Sequence, residues 1–330
     1  MRAVVCNGAG GVEVMALAEV PPPEPGPEQL RVKVRAAALN RGDTLQRMGE
    51  YPAPPGESPI LGVEAAGEVE SLGPGVEGFA PGDRVFGLVP GGGYAELCLM
   101  DHRLAMRMPE GWSFAQAAAV PEVFFTADTM LFVLGQLAPG ETVLVHAGGS
   151  GVGTACIQMA RSAGARVLCT VGSEEKARRA MALGAEAAVN YRTHDFAREV
   201  MRLTGGAGVD VVADFMGASY LTRNLAVLRP AGRLILAGVM GGMVTEIDLD
   251  TIIGGRLQVK GTVMRSRPLA DKRAIAQRFR ERWLPLLAEG RLRPVVDSVY
   301  PLEQVARAHE AIEANRNFGK IILSTDGATS

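Results

Sequence analysis

The stretch Thr142-Val-Leu-Val-His-Ala-Gly-Gly-Ser-Gly-Val-Gly153 joins a short apolar run to a glycine-rich turn that leads into a helical pattern. In a strand–turn–helix unit, small residues let backbone N–H groups approach a phosphate at the positive end of the helix. Against the pattern G-x-G-x-x-G, Gly148 and Gly153 match, whereas Ser150 replaces the middle glycine. The segment predicts a pyrophosphate-binding loop, with a purely structural tight turn as the alternative. The residues assigned to this loop are Gly148, Gly149, Ser150, Gly151, Val152 and Gly153.

From residue 142 onward, apolar runs alternate with helical patterns at short intervals. Strands are predicted at 142–146, 166–170, 187–190, 209–214, 233–237 and near 257–263. Helices are predicted between them, up to about 163 and over 174–182, 195–203 and 219–228. Continuous Val, Leu and Ile runs separated by helices are typical of a parallel sheet that is covered on both faces. Together with the loop, this pattern predicts a doubly wound α/β domain of the Rossmann type.

The first third of the chain is rich in predicted strands instead. They lie at 30–38, 63–72 and 94–100, and turns with Pro and Gly separate them, which is typical of a small barrel or sandwich. Ser113-Phe-Ala-Gln116 has the form of a capping box, so a helix begins there and a second follows at about 123–134. Beyond 265 we predict a long helix (271–288), a strand (295–300), a helix (303–314) and a strand (320–323). This tail is too short for a domain of its own, so we expect it to pack on the N-terminal part.

Composition excludes several classes of protein. The chain has 330 residues, 47% hydrophobic and 21% charged, with a net charge of −2, so two globular domains are expected and a disordered chain is not. The near-neutral charge predicts neither nucleic acid nor a membrane surface as a partner. The apolar stretch 114–137 is interrupted by Pro121, Glu122 and Asp128, so no membrane span is expected. The four scattered cysteines form no C-x-x-C pair, and without a signal peptide they favour a cytoplasmic protein.

Coenzyme selectivity is read at the end of the second predicted strand. NAD-binding proteins place an acidic residue there to accept a hydrogen bond from the ribose 2′-hydroxyl. In this chain the strand ends in Val171-Gly172, and Ser173 and Lys176 follow, both able to bind a 2′-phosphate. The alternative for Ser173 is that it only caps the next helix. This segment favours NADP over NAD, with Glu174 and Glu175 expected to point to solvent.

Motifs along the whole chain carry a family resemblance. They are Ala38-Leu-Asn-Arg-Gly-Asp43, Leu61-Gly-Val-Glu-Ala-Ala-Gly67, Pro81-Gly-Asp-Arg-Val85, Pro90-Gly-Gly-Gly-Tyr94, the glycine-rich loop and Asn190-Tyr191. In these stretches the sequence resembles the zinc-independent quinone oxidoreductases of the medium-chain dehydrogenase/reductase superfamily. The resemblance implies a β-rich, GroES-like catalytic domain (1–121 and 266–330) and a Rossmann NADP-binding domain (122–265).

The resemblance also implies positions for site residues. Asn40, Asp43, Gln46, Tyr51 and Thr126 are expected near the nicotinamide, bordered by Gly238, Val239 and Arg265, while Tyr191 packs beside the adenosine phosphate with Lys176. Arg316 is a weaker candidate for the 2′-phosphate, and an ordinary surface charge is its preferred interpretation. By the same resemblance, the edge strand near 257–263 is expected to pair two subunits into a homodimer.

Metal ligands of the zinc-dependent relatives are missing from the matching positions. Asn40 stands where those proteins have Cys, and Val63, which offers no lone pair, stands where they have His. No Cys occurs in 121–127, and the cysteine-rich zinc lobe is absent from the sequence. We therefore expect no metal cofactor.

Without a metal, the expected chemistry is hydride transfer to an acceptor whose conjugation spreads the developing charge, such as a quinone or an enone. Tyr51 is the first candidate for a donor to the acceptor's oxygen, and simple packing is an equally weighted alternative. Asn40, Gln46 and Ser150 are the other catalytic candidates; Ser150 could equally only fill the turn. An enoyl-thioester reductase and a non-catalytic, crystallin-like NADPH-binding protein remain as alternative functions.

Overall fold

A computed structural model describes residues 1–325 of the chain. The described chain divides into two compact units. Unit 1 comprises Met1–Phe125 and the segment that begins at Met264, and unit 2 comprises Thr126–Val263.

The elements are numbered in chain order. The strands are β1 (Arg2–Cys6), β2 (Met15–Glu19), β3 (Gln29–Ala38), β4 (Glu64–Leu72), β5 (Arg84–Leu88), β6 (Leu97–Asp101), β7 (Met106–Arg107), β8 (Thr142–Val145), β9 (Arg166–Val171), β10 (Ala187–Asn190), β11 (Val209–Asp214), β12 (Leu228–Leu236), β13 (Gln258–Gly261), β14 (Val296–Pro301) and β15 (Lys320–Ser324). The α-helices are α1 (Arg41–Arg47), α2 (Phe114–Ala118), α3 (Pro121–Asp128), α4 (Gly151–Ser162), α5 (Glu174–Ala182), α6 (Phe196–Leu203), α7 (Ala218–Val227), α8 (Leu249–Gly255), α9 (Leu269–Arg282), α10 (Leu284–Ala288) and α11 (Val305–Glu313). Short 3₁₀ turns cover Val12–Val14 and Leu302–Gln304, and a π-helical turn covers Thr129–Leu134.

Unit 1 is built on a mostly antiparallel sheet with the order β14-β15-β3-β4-β5-β7, in which β6 also pairs with β3. The C-terminal strand β15 pairs antiparallel with β3, so the tail returns to the N-terminal part of the chain. Alternating residues of β3 and β4 face a core that contains Val32, Val34 and Val69. The fold is the mixed α/β architecture that the sequence predicts, and its β-rich part is unit 1.

Unit 2 contains a parallel sheet of six strands in the order β10-β9-β8-β11-β12-β13. The chain starts in the middle at β8, moves outward to β10, and then crosses to the other side with β11. This order is that of the doubly wound dinucleotide-binding fold. The direction of winding reverses between β8 and β11, and ligands of open α/β sheets bind at this reversal.

Several boundaries differ from the sequence predictions. The prediction of a single helix over 271–288 is wrong, since α9 ends at Arg282 and α10 begins at Leu284. Pro285 has no N–H to continue the helical hydrogen bonds of α9, and it stands in the first turn of the new helix. The strand predicted from 233 begins at Leu228, with a register shift that accommodates Ala231 at a φ of +64°. Helices α1 and α8 were not predicted at all. The capping box at Ser113 is confirmed by hydrogen bonds in both directions between Ser113 and Gln116.

The apolar stretch before β8 is helical and mostly internal. Residues Phe114–Leu134 are long and apolar enough to cross a membrane by length and composition alone. Of the most apolar window in that stretch, 72% is buried inside the protein. Packing in the interior therefore accounts for its apolar character.

His146 follows β8 directly and is fully buried, in edge-type contact with the rings of Phe196 and Tyr220, which stack on each other. Its Nε2 lies 2.7 Å from Asn224 Oδ1, which can only accept, so the ring proton is on Nε2. Its Nδ1 then accepts a hydrogen bond from the Thr170 hydroxyl over 3.0 Å. The imidazole is held as a neutral group in the core, and burial lowers its pKa to about 4.

This burial predicts a pH-dependent loss of stability. Between pH 6.5 and 4 the unfolded chain binds a proton at residue 146 that the folded chain does not, so the free energy of unfolding falls as the pH falls. The lowered pKa corresponds to about 3 kcal/mol lost across that window. Urea unfolding of the wild type and of His146→Gln over this range measures it. We expect a shallower pH dependence in the variant, and identical slopes would contradict the assignment.

Candidate active site

The glycine-rich loop lies at the carboxyl end of β8, where the winding of the sheet reverses. Three of its N–H groups have protein acceptors: Gly148 donates to Thr170 O and Ser150 to Ala147 O, each over 2.8 Å, and Gly153 donates to Ser150 Oγ. Within residues 1–325, the N–H groups of Gly149, Gly151 and Val152 donate to no protein acceptor. These three donors stand at the N terminus of α4, where the helix dipole favours an anion.

Packing around the loop explains why two of its positions are glycine. A Cβ on Gly153 would lie 2.2 Å from Ala147 O, and one on Gly148 would lie 3.0 Å from Cys169 Sγ. Ala147 itself adopts a φ of +49°, a region that few residues other than glycine occupy. The Ser150 Oγ accepts a hydrogen bond from Gly153 N over 3.0 Å and caps α4. Its structural role is therefore visible, and its hydroxyl hydrogen remains as a donor.

The end of β9 presents the residues that were assigned to coenzyme selectivity. Tyr191 lies against the end of β9: its hydroxyl is so close to Gly172 that a Cβ added there would be only 2.8 Å from it. Ser173 accepts a hydrogen bond from Lys176 N over 3.2 Å and caps α5, so its structural alternative is also seen. Glu174 is exposed, and its carboxylate accepts a hydrogen bond from Asn190 Nδ2 over 2.9 Å.

The remaining unit 2 candidates lie at two other positions. Gly238 and Val239 follow β12, and Val239 is 45% exposed. The Thr126 hydroxyl oxygen is buried and has no hydrogen-bond partner within residues 1–325. A buried hydroxyl without a partner is costly in a folded protein, which favours a ligand as its partner.

In unit 1, Asn40 is the N-cap of α1 and its side chain lies between two buried charges. Its Nδ2 donates to Glu64 Oε1 over 2.8 Å, and its Oδ1 accepts from Lys320 Nζ over 2.7 Å. Lys320 and Glu64 also form an ion pair of 2.8 Å, with both side chains buried. Lys320 is not among the site residues predicted from the sequence, although a charged residue inside the apolar run Gly319-Lys-Ile-Ile-Leu323 is a signal for a buried polar role.

Asp43 stabilises the turn around Asn40. Its carboxylate accepts hydrogen bonds from Asn40 N (2.8 Å), Gly62 N (3.3 Å) and the Tyr94 hydroxyl (3.1 Å). Burial raises the pKa of Asp43 to about 6 despite these donors. Burial and the nearby Glu64 likewise raise the pKa of Glu122 to about 7. The surroundings of Asn40 are thus a dense network of buried polar groups.

A second group of polar residues in unit 1 contains Tyr51, Gln46 and Arg265. Arg265 is 8% exposed, and its Nη1 donates to Gln46 Oε1 over 2.5 Å. Its guanidinium carbon lies 5.7 Å from the centre of the Tyr51 ring, which is a cation–π arrangement. Gln46, Tyr51 and Arg265, which the family resemblance assigns to the site, thus lie together in the fold.

Arg316, the weaker candidate for the 2′-phosphate, is exposed after α11.

Comparisons with known proteins define the class. Residues 26–123 match the family described as "Alcohol dehydrogenase GroES-like domain" and residues 151–282 match the one described as "Zinc-binding dehydrogenase". This pair of matches, with the strand order of unit 2, defines a medium-chain dehydrogenase/reductase.

Similar proteins of known name indicate the branch of this superfamily to which the chain belongs. A quinone oxidoreductase of Pseudomonas aeruginosa is 37% identical over 319 residues, which cover 95% of this chain and 96% of that protein. A crystal structure of an NAD-dependent alcohol dehydrogenase has a TM-score of 0.88 at 38% identity and covers 98% of this chain and 100% of that one. Escherichia coli quinone oxidoreductase in complex with NADPH has a TM-score of 0.88 at 31% identity, with the same coverage of both chains. The chain belongs to the quinone oxidoreductase family of this superfamily.

Proposed function

We propose that the protein catalyses reduction of quinones, or of related conjugated carbonyls, by NADPH and without a metal ion. The observation that carries the proposal is the loop after β8: three of its N–H groups, without an acceptor among the described residues 1–325, stand at the N terminus of α4 at the reversal of the sheet. The neutral end of β9, with Ser173 and Lys176 behind it, favours a coenzyme that carries a 2′-phosphate. The relative of E. coli that was solved with NADPH supports this choice.

The donor set around Asn40 does not fit a zinc ion. Val63 offers no ligand atom, and the Glu64 carboxylate already binds the Lys320 ammonium and two N–H donors. Asn40 Oδ1 is occupied by the same ammonium. This arrangement supports a reaction in which no metal polarises the acceptor.

The residues assigned to the site then have distinct roles. Nicotinamide, when bound, supplies a hydride. Gly149, Ser150, Gly151 and Val152 bind the pyrophosphate, and Thr126, Gly238 and Val239 border the nicotinamide ring. Tyr51 donates a hydrogen bond to the acceptor's oxygen, and burial raises its pKa, so the phenol keeps its proton at neutral pH. Asn40, Gln46 and Arg265 are the other unit 1 residues assigned to the reaction.

Loss of NADPH absorbance with an ortho-quinone, compared with an enoyl thioester, tests the proposed function. We expect rapid oxidation of NADPH with the quinone. Fast turnover of the enoyl thioester alone would favour a thioester reductase. NADPH binding without turnover of either acceptor would favour a non-catalytic, crystallin-like role.

Replacing Lys176 tests the coenzyme choice. Because a charge-assisted hydrogen bond contributes about 1.5–3 kcal/mol, we expect Lys176→Ala to weaken NADPH binding by about 10–100-fold and NADH binding far less. Fluorescence titration with both coenzymes measures this, and Arg178→Ala on the same helix is the matched control. Equal weakening of both coenzymes would contradict the assignment to the 2′-phosphate.

We also propose that the protein is a cytoplasmic homodimer that pairs through β13. Within residues 1–325 the outer edge of β13 has no strand partner, and Val259 on this strand and Val263 just after it are 41% and 43% exposed. An open edge with exposed apolar side chains favours association of two copies. Light scattering is expected to give twice the chain mass of 34.8 kDa, and Val259→Lys is expected to lower it. A monomeric wild type would contradict the proposal.

A further inference from the structure

The buried ammonium of Lys320 has all of its hydrogen-bonding capacity used. Lys320 is 4% exposed, and its Nζ donates to Leu39 O over 2.6 Å and to Asn40 Oδ1 over 2.7 Å. The third neighbour is Glu64 Oε1 at 2.8 Å. Since an ammonium has three N–H donors, these three acceptors determine its position completely.

The Glu64 carboxylate is held as firmly. Its side chain is fully buried, Oε1 accepts from Asn40 Nδ2 and from Lys320, and Oε2 accepts from Glu122 N over 2.8 Å. The carboxylate and the ammonium therefore bind opposite ends of one amide. A flipped Asn40 amide would place its NH₂ against the ammonium and its oxygen against the carboxylate, and both contacts are repulsive.

Net stability does not by itself account for this ion pair. Buried ion pairs often contribute no more to stability than apolar residues of similar volume, because both charges lose their hydration. Both members of the pair also contact the side-chain amide of Asn40, a residue of the proposed site: Lys320 at its oxygen and Glu64 at its nitrogen. A role in orienting that residue explains why both charges meet at Asn40.

We infer that Lys320 and Glu64 are positioning residues that hold the amide of Asn40 in one orientation for the reaction. The inference rests on the proposed function, since it assigns Asn40 to the site. With its oxygen bound to Lys320 and one amide hydrogen bound to Glu64, Asn40 has one hydrogen left, and that hydrogen makes only a long contact of 3.4 Å with Ala38 O. The positioning pair therefore determines that Asn40 acts toward a ligand as a donor.

The test separates orientation from folding. Removing a single charge leaves the other buried alone, so Lys320→Met by itself is not informative about orientation. The double variant Glu64→Gln/Lys320→Met removes both charges, and the carbonyl oxygen of the introduced amide can still accept from Glu122 N. We expect this variant to fold, with an unfolding midpoint above that of Lys320→Met, and to lose on the order of 10–100-fold in kcat with a quinone.

A mutant cycle with Asn40→Ala decides whether the pair acts through the amide. We expect Asn40→Ala to lower kcat by a similar factor, and the triple variant to be no slower than Asn40→Ala alone. Losses that multiply in the triple variant, or a double variant with wild-type kcat, would overturn the inference. The matched control is Asp101→Asn/Arg273→Met, which neutralises another ion pair of unit 1 away from Asn40 and is expected to keep wild-type kcat.

The outcomes also distinguish this inference from the proposed function. A wild type that does not oxidise NADPH with any quinone refutes the function. The positioning role alone is refuted by a different result. In that case the wild type and the Asp101→Asn/Arg273→Met control are active, and the kcat of Glu64→Gln/Lys320→Met equals that of the wild type.

Discussion

Gly153→Ala is expected to weaken NADPH binding by on the order of 100-fold, because the displaced N–H groups would lose hydrogen bonds to the pyrophosphate that contribute about 1.5–3 kcal/mol each. The added methyl group would lie 2.2 Å from Ala147 O and 2.8 Å from Gly148 Cα, both of them backbone atoms that no side-chain rotation can move aside. The N terminus of α4 must therefore separate from the loop. The N–H groups of Gly151 and Val152 move with the helix, so the proposed pyrophosphate site loses its geometry. The same crowding is expected to cost about 1–3 kcal/mol of stability.

Coenzyme titration by fluorescence and urea unfolding measure the two effects of Gly153→Ala. The matched control is Gly254→Ala, the same change in helix α8, where a Cβ meets nothing within 4 Å and φ is negative. We expect the control to bind NADPH like the wild type and to be slightly stabilised, since alanine favours the helix. Unchanged NADPH affinity in Gly153→Ala would show that the loop does not hold the coenzyme.

The second large effect is expected from the single substitution Lys320→Met. It leaves the fully buried Glu64 carboxylate without its cation, and breaking a buried ion pair in this way costs about 3–5 kcal/mol. Asn40 Oδ1 and Leu39 O lose a donor at the same time, which adds to the loss.

Urea unfolding of Lys320→Met at neutral pH measures this loss. The neutral double variant Glu64→Gln/Lys320→Met serves as the control, and we expect it to be more stable than the single variant. If the single and double variants were equally destabilised, the cost would come from lost packing of the lysine stem and not from an unpaired charge.

The parallel sheet could be predicted from sequence because its signals are local. Strands β10 and β11 have the predicted bounds, and helix α5 does as well, since each combines an apolar or amphipathic run with a clear end. Helix α1 could not be found this way: its seven residues, Arg41–Arg47, are mostly polar and begin with Arg-Gly. The break at Trp283 was missed because apolar residues continue on both sides of it and conceal the new start at Pro285.

The candidate site likewise has a part that the sequence predicts and a part that it does not. The glycine-rich loop is recognisable in the sequence, because close backbone approach demands small residues at fixed spacing. Nothing local identifies the grouping of Asn40, Glu64 and Lys320, which come from the start of α1, from β4 and from β15. Their contact depends on β3 pairing with both β4 and β15, a relation between residues up to 280 positions apart.

By itself, then, the sequence determines the α/β class, the succession of strands and helices in the Rossmann domain and the glycine-rich loop, because periodicity and glycine spacing reflect the backbone directly. Only the tertiary structure decides which loop N–H groups stay unpaired, and that Ser150 and Ser173 cap their helices. It alone also shows that a buried ammonium lies beside Glu64 and Asn40. Hydrogen-bond partners and desolvation arise from chain segments that meet only on folding, so no local pattern encodes them.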